Sequence, residues 1–271
     1  LDARDLLGQS VHLLDGPVGT AIGELLPGLA ASPHLASLQE PDVVVALHRS
    51  YLQAGARALQ ANAWLALHLA STEAQAVIGA AADCLRLACL EAADPPALVL
   101  SLAPGPGSPP AGPPSWLNAL ISFDAVVVET LVDPWQLAWV AWLAEWSPVP
   151  VAASMVPDSR PGAWDAADFA QRARRAGAQA AGVNCGYPDS PYAASEAIRL
   201  MRQAAPRLPL LARPARWDMV SWLHESVACA EAGANWVGGC CGTTHEDLAG
   251  LAARLRQPSG RQPFTGRDPV A

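Results

Sequence analysis

The chain has 271 residues, with 17 basic against 25 acidic side chains and a formal net charge of −8 at neutral pH. Every basic residue is arginine, which excludes a Schiff-base lysine, a phosphate-loop lysine and a lysine general base. An acidic balance without a basic run argues against a nucleic-acid surface, and 51% apolar against 15% charged residues predicts a large buried core. No run reaches the length of a membrane-spanning helix, the longest being interrupted by Asp83 and Glu145. Residues 1–5 lack a signal-peptide layout, and six cysteines are too few for a disulfide framework. Both features predict a protein of the reducing cytoplasm, where cysteines bind metal or do chemistry.

Strand and helix patterns alternate along the chain. An apolar run over 11–15 ends in Gly16-Pro17, as a strand entering a loop does. Pro41 opens a helix through Val44, Leu47, Tyr51 and Leu52 that stops at Gly55. A second strand is predicted over 58–64, then a helix over 71–92 with Ser71 as N-cap. A third strand spans 97–102, and the proline-rich stretch 104–114 reads as a long connection because the alternation resumes beyond it. The remaining pairs are strands at 125–129, 149–155, 180–185, 208–212 and 234–240 with helices at 134–146, 166–176, 190–205, 221–232 and 244–255. Trp135, Trp139, Trp142 and Trp146 recur at helical spacing and read as core or a subunit contact. Residues 257–271 read as an extended or disordered tail.

Eight strand–helix units in this length predict a single (β/α)8 barrel over residues 1–256. An open doubly wound sheet would want a phosphate-binding glycine fingerprint after the first strand, and Gly16-Pro17-Val18-Gly19 has the wrong spacing. In a barrel, chemistry sits at the C-terminal strand ends. Those ends are Asp15, Asn62 with Trp64, Ser101, Glu129, Ser154, Asn184 with Cys185, Arg213, and Cys240 with Cys241. Cys84, Cys89 and Cys229 fall inside helices and read as packing residues. Cys185, Cys240 and Cys241 offer three soft thiolates, a set suited to zinc with a fourth position open. Small buried residues at a strand end, or a vicinal disulfide, would equally explain the adjacent pair. Trp64 offers a ring face to a cationic ligand, and ordinary barrel packing is its alternative.

Several segments, in order, resemble the homocysteine S-methyltransferase family. They are Leu14-Asp15-Gly16 with Gly19-Thr20, and Glu40-Pro41-Asp42 with His48 and Tyr51-Leu52. Val128-Glu129-Thr130, Val183-Asn184-Cys185-Gly186 and Gly239-Cys240-Cys241-Gly242-Thr243-Thr244 complete the set. The resemblance covers about residues 11–256. It implies that Cys185, Cys240 and Cys241 bind zinc and activate homocysteine's thiol for methylation to methionine. It also implies that Asp15 and Glu129 lie near the substrate ammonium, with Gly16 and Gly19 backbone N–H groups as candidates for its carboxylate. The expected partners are small molecules, homocysteine and a cationic methyl donor near Trp64, with no nucleic acid and no membrane.

Other readings are methylation of a different thiol or selenol, methyl transfer from a cobalamin protein in trans, or a non-catalytic zinc-binding barrel subunit. The chain departs from the family pattern at Pro17, Ala61, Ala63 and Arg213-Pro214-Ala215, and in a shortened loop after the third strand. His245 stands where the family usually has proline and reads as a helix-start residue.

Overall fold

The computed structural model describes residues 11–157, 164–186 and 193–256. Eight parallel strands form one sheet: β1 (His12–Leu13), β2 (Ala58–Gln60), β3 (Ala97–Leu102), β4 (Ala125–Leu131), β5 (Val151–Met155), β6 (Ala180–Cys185), β7 (Leu210–Pro214) and β8 (Trp236–Val237). They pair in the order β1-β8-β7-β6-β5-β4-β3-β2. Between β1 and β2 the ring is spanned by the parallel bridge Leu14–Ala58 and by Arg57 N donating to Leu13 O at 2.8 Å. The architecture is the expected (β/α)8 barrel.

The helices are α1 (Val18–Leu25), α2 (Ala36–Gln39), α3 (Pro41–Gln53), α4 (Ser71–Cys89), α5 (Leu137–Trp146), α6 (Ala166–Arg175), α7 (Ala194–Ala204), α8 (Met219–Glu231) and α9 (His245–Leu255). Their apolar faces bury against the strands. Leu100, Leu102, Val126 and Val128 from the sheet meet Val140, Leu143, Phe169, Ile198 and Met201 from the helices in one fully buried cluster. Emptying a Phe169-sized position in such a core costs about 3–5 kcal/mol. Among the described residues no helix is long and apolar enough to cross a membrane.

Several boundaries differ from the sequence expectation. β1, β2 and β8 are shorter than the apolar runs that announced them, and β7 lies two residues later. α1, α2 and short 3-10 turns fill the connection between the first strand and Pro41. Ser71 is the first helical residue and not the cap; Ala70 precedes it without a side-chain bond. The cap role the sequence assigned to Ser71 appears instead at Thr244, whose hydroxyl accepts from Asp247 N at 3.3 Å while Asp247 accepts from Thr244 N at 2.9 Å. His245 is thus the helix-start residue it was expected to be. Ser190, expected to begin a helix, and the tail from residue 257 lie outside the described residues.

The proline-rich connection docks on α5. Trp139 Nε1 donates to Gly107 O at 3.0 Å and Trp142 Nε1 to Gly112 O at 2.8 Å. These two rings are core as expected, whereas Trp135 is 49% exposed and does not pack there.

Candidate metal centre and active-site cavity

The ends of β2, β3, β4, β6 and β7, with the loops after β1 and β8, enclose a cavity of about 660 Å³ at the C-terminal mouth. Cys185 closes β6 and Cys240-Cys241 follow β8, with Gly242 turning the chain at φ +79°. The three sulfurs lie within 4.8 Å of one another, the one such grouping among the described residues. Both members of the adjacent pair are free thiols, so no vicinal disulfide forms. Cys84 and Cys229 are buried within helices, as expected of packing residues.

Electrostatics explains what this cluster requires. Hydrogen bonds from Cys185 and Cys240, with one from Thr20 Oγ1 at 3.6 Å, hold the Cys241 thiol far below its usual range. Hydrogen bonds to Cys185 and to Cys241, together with burial, push Cys240 up. Three thiols this close share one negative charge, and a divalent cation lets all three ionise. Three soft sulfur donors this close together would suit a zinc ion.

Backbone strain accompanies the site. β4 and β5 change register between Val128 and Leu131, and within that bulge Thr130 adopts φ +65°. Cys185 adopts φ +60°. A reciprocal pair joins Thr130 to the residue before Cys185: Thr130 N donates to Asn184 Oδ1 and Asn184 Nδ2 to Thr130 Oγ1, each at 3.0 Å. Asn184 was visible in the sequence as a strand end, but not as the clamp between two strained residues.

The substrate-binding candidates separate into two groups. Trp64 lies in the turn after β2, 41% exposed, and lines the cavity with Glu129, Thr130 and Asn184. Asp15 and Gly16 lie behind the cavity lining. Asp15 is fully buried, with Oδ2 accepting from Gln60 N at 2.6 Å, and burial pushes its carboxyl up to about 7. Gly16 is held against the Tyr51 ring, where a Cβ would lie 2.8 Å from the aromatic carbons.

Arg213 stands between these groups. Its Nη1 donates to Gln60 Oε1 and to Glu129 Oε2, the latter at 3.0 Å, and Nη2 donates to Gly16 O at 3.1 Å and approaches Asp15 Oδ1 at 3.6 Å. Sequence reasoning placed Arg213 at a strand end without a role. The available signal was a charge closing the otherwise apolar run of β7.

The structure is a (β/α)8 barrel that gathers three thiols at its C-terminal mouth, a grouping that could hold a soft metal ion. The family model for homocysteine S-methyltransferase matches residues 12–255, and the chain belongs to that family. No curated protein sequence matches it. The fold is similar to that of the homocysteine methyltransferase MmuM from Escherichia coli. The apo form of that protein aligns at TM-score 0.71 and 22% identity, over 93% of this chain and 98% of that one. Its metallated form aligns at 0.69 and 22%, over 93% and 99%. The carboxyl transferase domain of Rhizobium etli pyruvate carboxylase aligns at 0.55 and 14%, over 96% of this chain and 50% of that one.

Proposed function

We propose that this protein transfers a methyl group from a small cationic donor to the thiol of homocysteine, giving methionine, with zinc held by Cys185, Cys240 and Cys241. The observation that carries the reading is the convergence of the three sulfurs within 4.8 Å at the edge of a cavity large enough for two small molecules. Bound there, zinc supplies the positive charge that keeps an acceptor thiol ionised at neutral pH. The chain's own residues do the rest by placement. The Thr20 hydroxyl stabilises charge on Cys241, and the Asn184–Thr130 pair fixes the backbone that aims Cys185. Trp64 presents an aromatic face at the cavity rim to a sulfonium or quaternary ammonium donor.

The transfer balances without a general acid. The acceptor's sulfur forms a bond to the methyl carbon as the bond from that carbon to the donor's cationic sulfur or nitrogen breaks. The donor departs as a neutral thioether or amine. The cavity's contribution is alignment of the two reactants, which removes much of the entropy barrier. Substrates and products are small and polar, in keeping with a cytoplasmic enzyme. A donor screen tests the reading: homocysteine with S-methylmethionine, S-adenosylmethionine, betaine or methylcobalamin, each alone, followed by methionine formation. Turnover with a sulfonium or betaine supports it. Turnover only with methylcobalamin overturns the small cationic donor, and a metal-free protein with full activity overturns the zinc site.

A further inference from the structure

Among the described residues, three side-chain amides line the cavity, and the oxygens of two are engaged within the protein. Gln60 Oε1 accepts from Arg213 Nη1, and Asn184 Oδ1 accepts from Thr130 N. Asn62 differs. Its Nδ2 donates to Pro33 O at 2.7 Å and to Ser37 Oγ at 3.3 Å, while its Oδ1 has no partner among the described residues. The amide cannot be turned over, because Pro33 O only accepts and would then face a second acceptor. Oδ1 is therefore the atom presented to the cavity, and it is not sealed from solvent as Asp15 Oδ1 is. Its position is fixed: Asn62 is 4% exposed, and its two bonds anchor it to the connection between β1 and α3. Trp64, two residues on and at most about 7 Å away along the backbone, lines the same cavity. The lining residues between Pro17 and Leu65 include no carboxylate and no guanidinium; the charged pair, Glu129 and Arg213, belongs to β4 and β7. A methylated onium resting on the Trp64 ring thus has one fixed side-chain carbonyl beside it.

We propose that Asn62 is a specificity residue for the methyl donor, its Oδ1 accepting an N–H from an ammonium that the donor carries in addition to its methylated onium centre. The inference rests on the thiol-methyltransferase reading and narrows its donor. An α-amino-acid sulfonium places an ammonium a few bonds from the sulfur, a separation that the two-residue step from Trp64 to Asn62 can span. Its N–H meets Oδ1 in a charge-assisted bond, one of the stronger kinds. Betaine carries an onium and a carboxylate but no N–H, so on binding it displaces water from Oδ1 and gives nothing back. A carbonyl left in that state is costly, which is why sites built to hydrogen-bond a ligand group reject the analogue that lacks it.

Calorimetric titration compares three donors on the same protein: S-methylmethionine, its desamino analogue (sulfonium and carboxylate only) and betaine. S-methylmethionine is expected to bind roughly tenfold or more tighter than either of the others. A desamino analogue or betaine that binds as tightly overturns the inference, and leaves the methyltransferase reading standing where that compound methylates homocysteine. Failure of all three to bind and to yield methionine overturns both. Asn62→Leu keeps the shape of the side chain and removes the acceptor. In the folded variant the preference for S-methylmethionine over its desamino analogue should disappear, through weaker binding of the first with the second unchanged. Equal weakening of both, the mark of a merely structural role, overturns the inference, and so does a loss confined to homocysteine. The comparison of donors on the wild-type protein decides the matter if the variant does not fold.

Discussion

Replacing Arg213 by methionine removes a fully buried charge and keeps most of the side-chain volume. The variant loses the bonds to Gln60, Glu129 and Gly16 and leaves Asp15 and Glu129 facing each other without a cation. Removing one partner from a buried ion pair costs about 3–5 kcal/mol, because the remaining charge stays desolvated. For a domain of this size that corresponds to a fall in Tm of roughly 6–20 °C.

The loss should depend on pH. Asp15 already sits near 7, raised by burial and restrained by Arg213, so without the arginine it rises further. A carboxyl raised in the folded state binds its proton more tightly there than in the unfolded chain. Its penalty is therefore absent below the unfolded value of about 4 and grows as pH rises through the folded value. Thermal unfolding followed by circular dichroism at acid and alkaline pH should give a larger deficit at alkaline pH. Adding Asp15→Asn and Glu129→Gln to Arg213→Met should recover part of the loss, since the uncompensated charges are then gone. A deficit below about 1 kcal/mol, the range of an exposed pair, would refute the buried-triad account. So would a deficit that does not change with pH.

Other outcomes follow from the same geometry. Metal analysis should give about one zinc per chain, lost in Cys240→Ser and unchanged in Cys84→Ser, because only the first removes a ligand; loss in both would point to misfolding and not to ligation. Asn184→Ala should weaken zinc binding by about 10–100-fold in a chelator competition, the usual range for residues that orient a ligand, and unchanged affinity would remove the clamp from the metal site. Trp64→Ala should raise the KM for a sulfonium donor by on the order of 0.5–2 kcal/mol, and an unaltered KM would take the ring out of the donor site.

The barrel was legible because its two periods are distinct: short β-branched or alanine-rich runs such as Ala125–Val128 against amphipathic stretches such as Ala166–Arg175. Strand lengths were less so. At β1, β2 and β8 the apolar run continues past the strand, where only single backbone bonds to the neighbours persist, such as Ala61 N to Val99 O at 2.8 Å and Gly238 N to Ala212 O at 2.9 Å. α1 was hidden by Pro17, Gly19 and Gly23, which read as loop, although the segment buries Val18 and Ile22. The three zinc-ligand candidates were readable from strand-end position and flanking glycines. The role of Arg213 was not, because its partners lie 153, 84 and 197 residues away in sequence. No local pattern reports pairings of that span.

The strained backbone belongs to the same logic. Along a regular strand successive side chains alternate between the barrel interior and the helix layer, so a strand end cannot present two neighbouring residues to one cavity without a break. β4 presents Glu129 and Thr130 together, and β6 presents Asn184 and Cys185 together. In each case the second residue of the pair is the one with positive φ. Such a conformation costs about 1–3 kcal/mol for a residue with a side chain, and for a β-branched threonine it is rare. The reciprocal amide–hydroxyl pair between Asn184 and Thr130 offsets part of that cost, and ties the two breaks to each other. The strand ends that hold Glu129 and Cys185 are thereby set by one linkage. A change in either strand end is therefore expected to displace Glu129 and Cys185 together, which ties the carboxylate side of the cavity to the thiol cluster through Asn184.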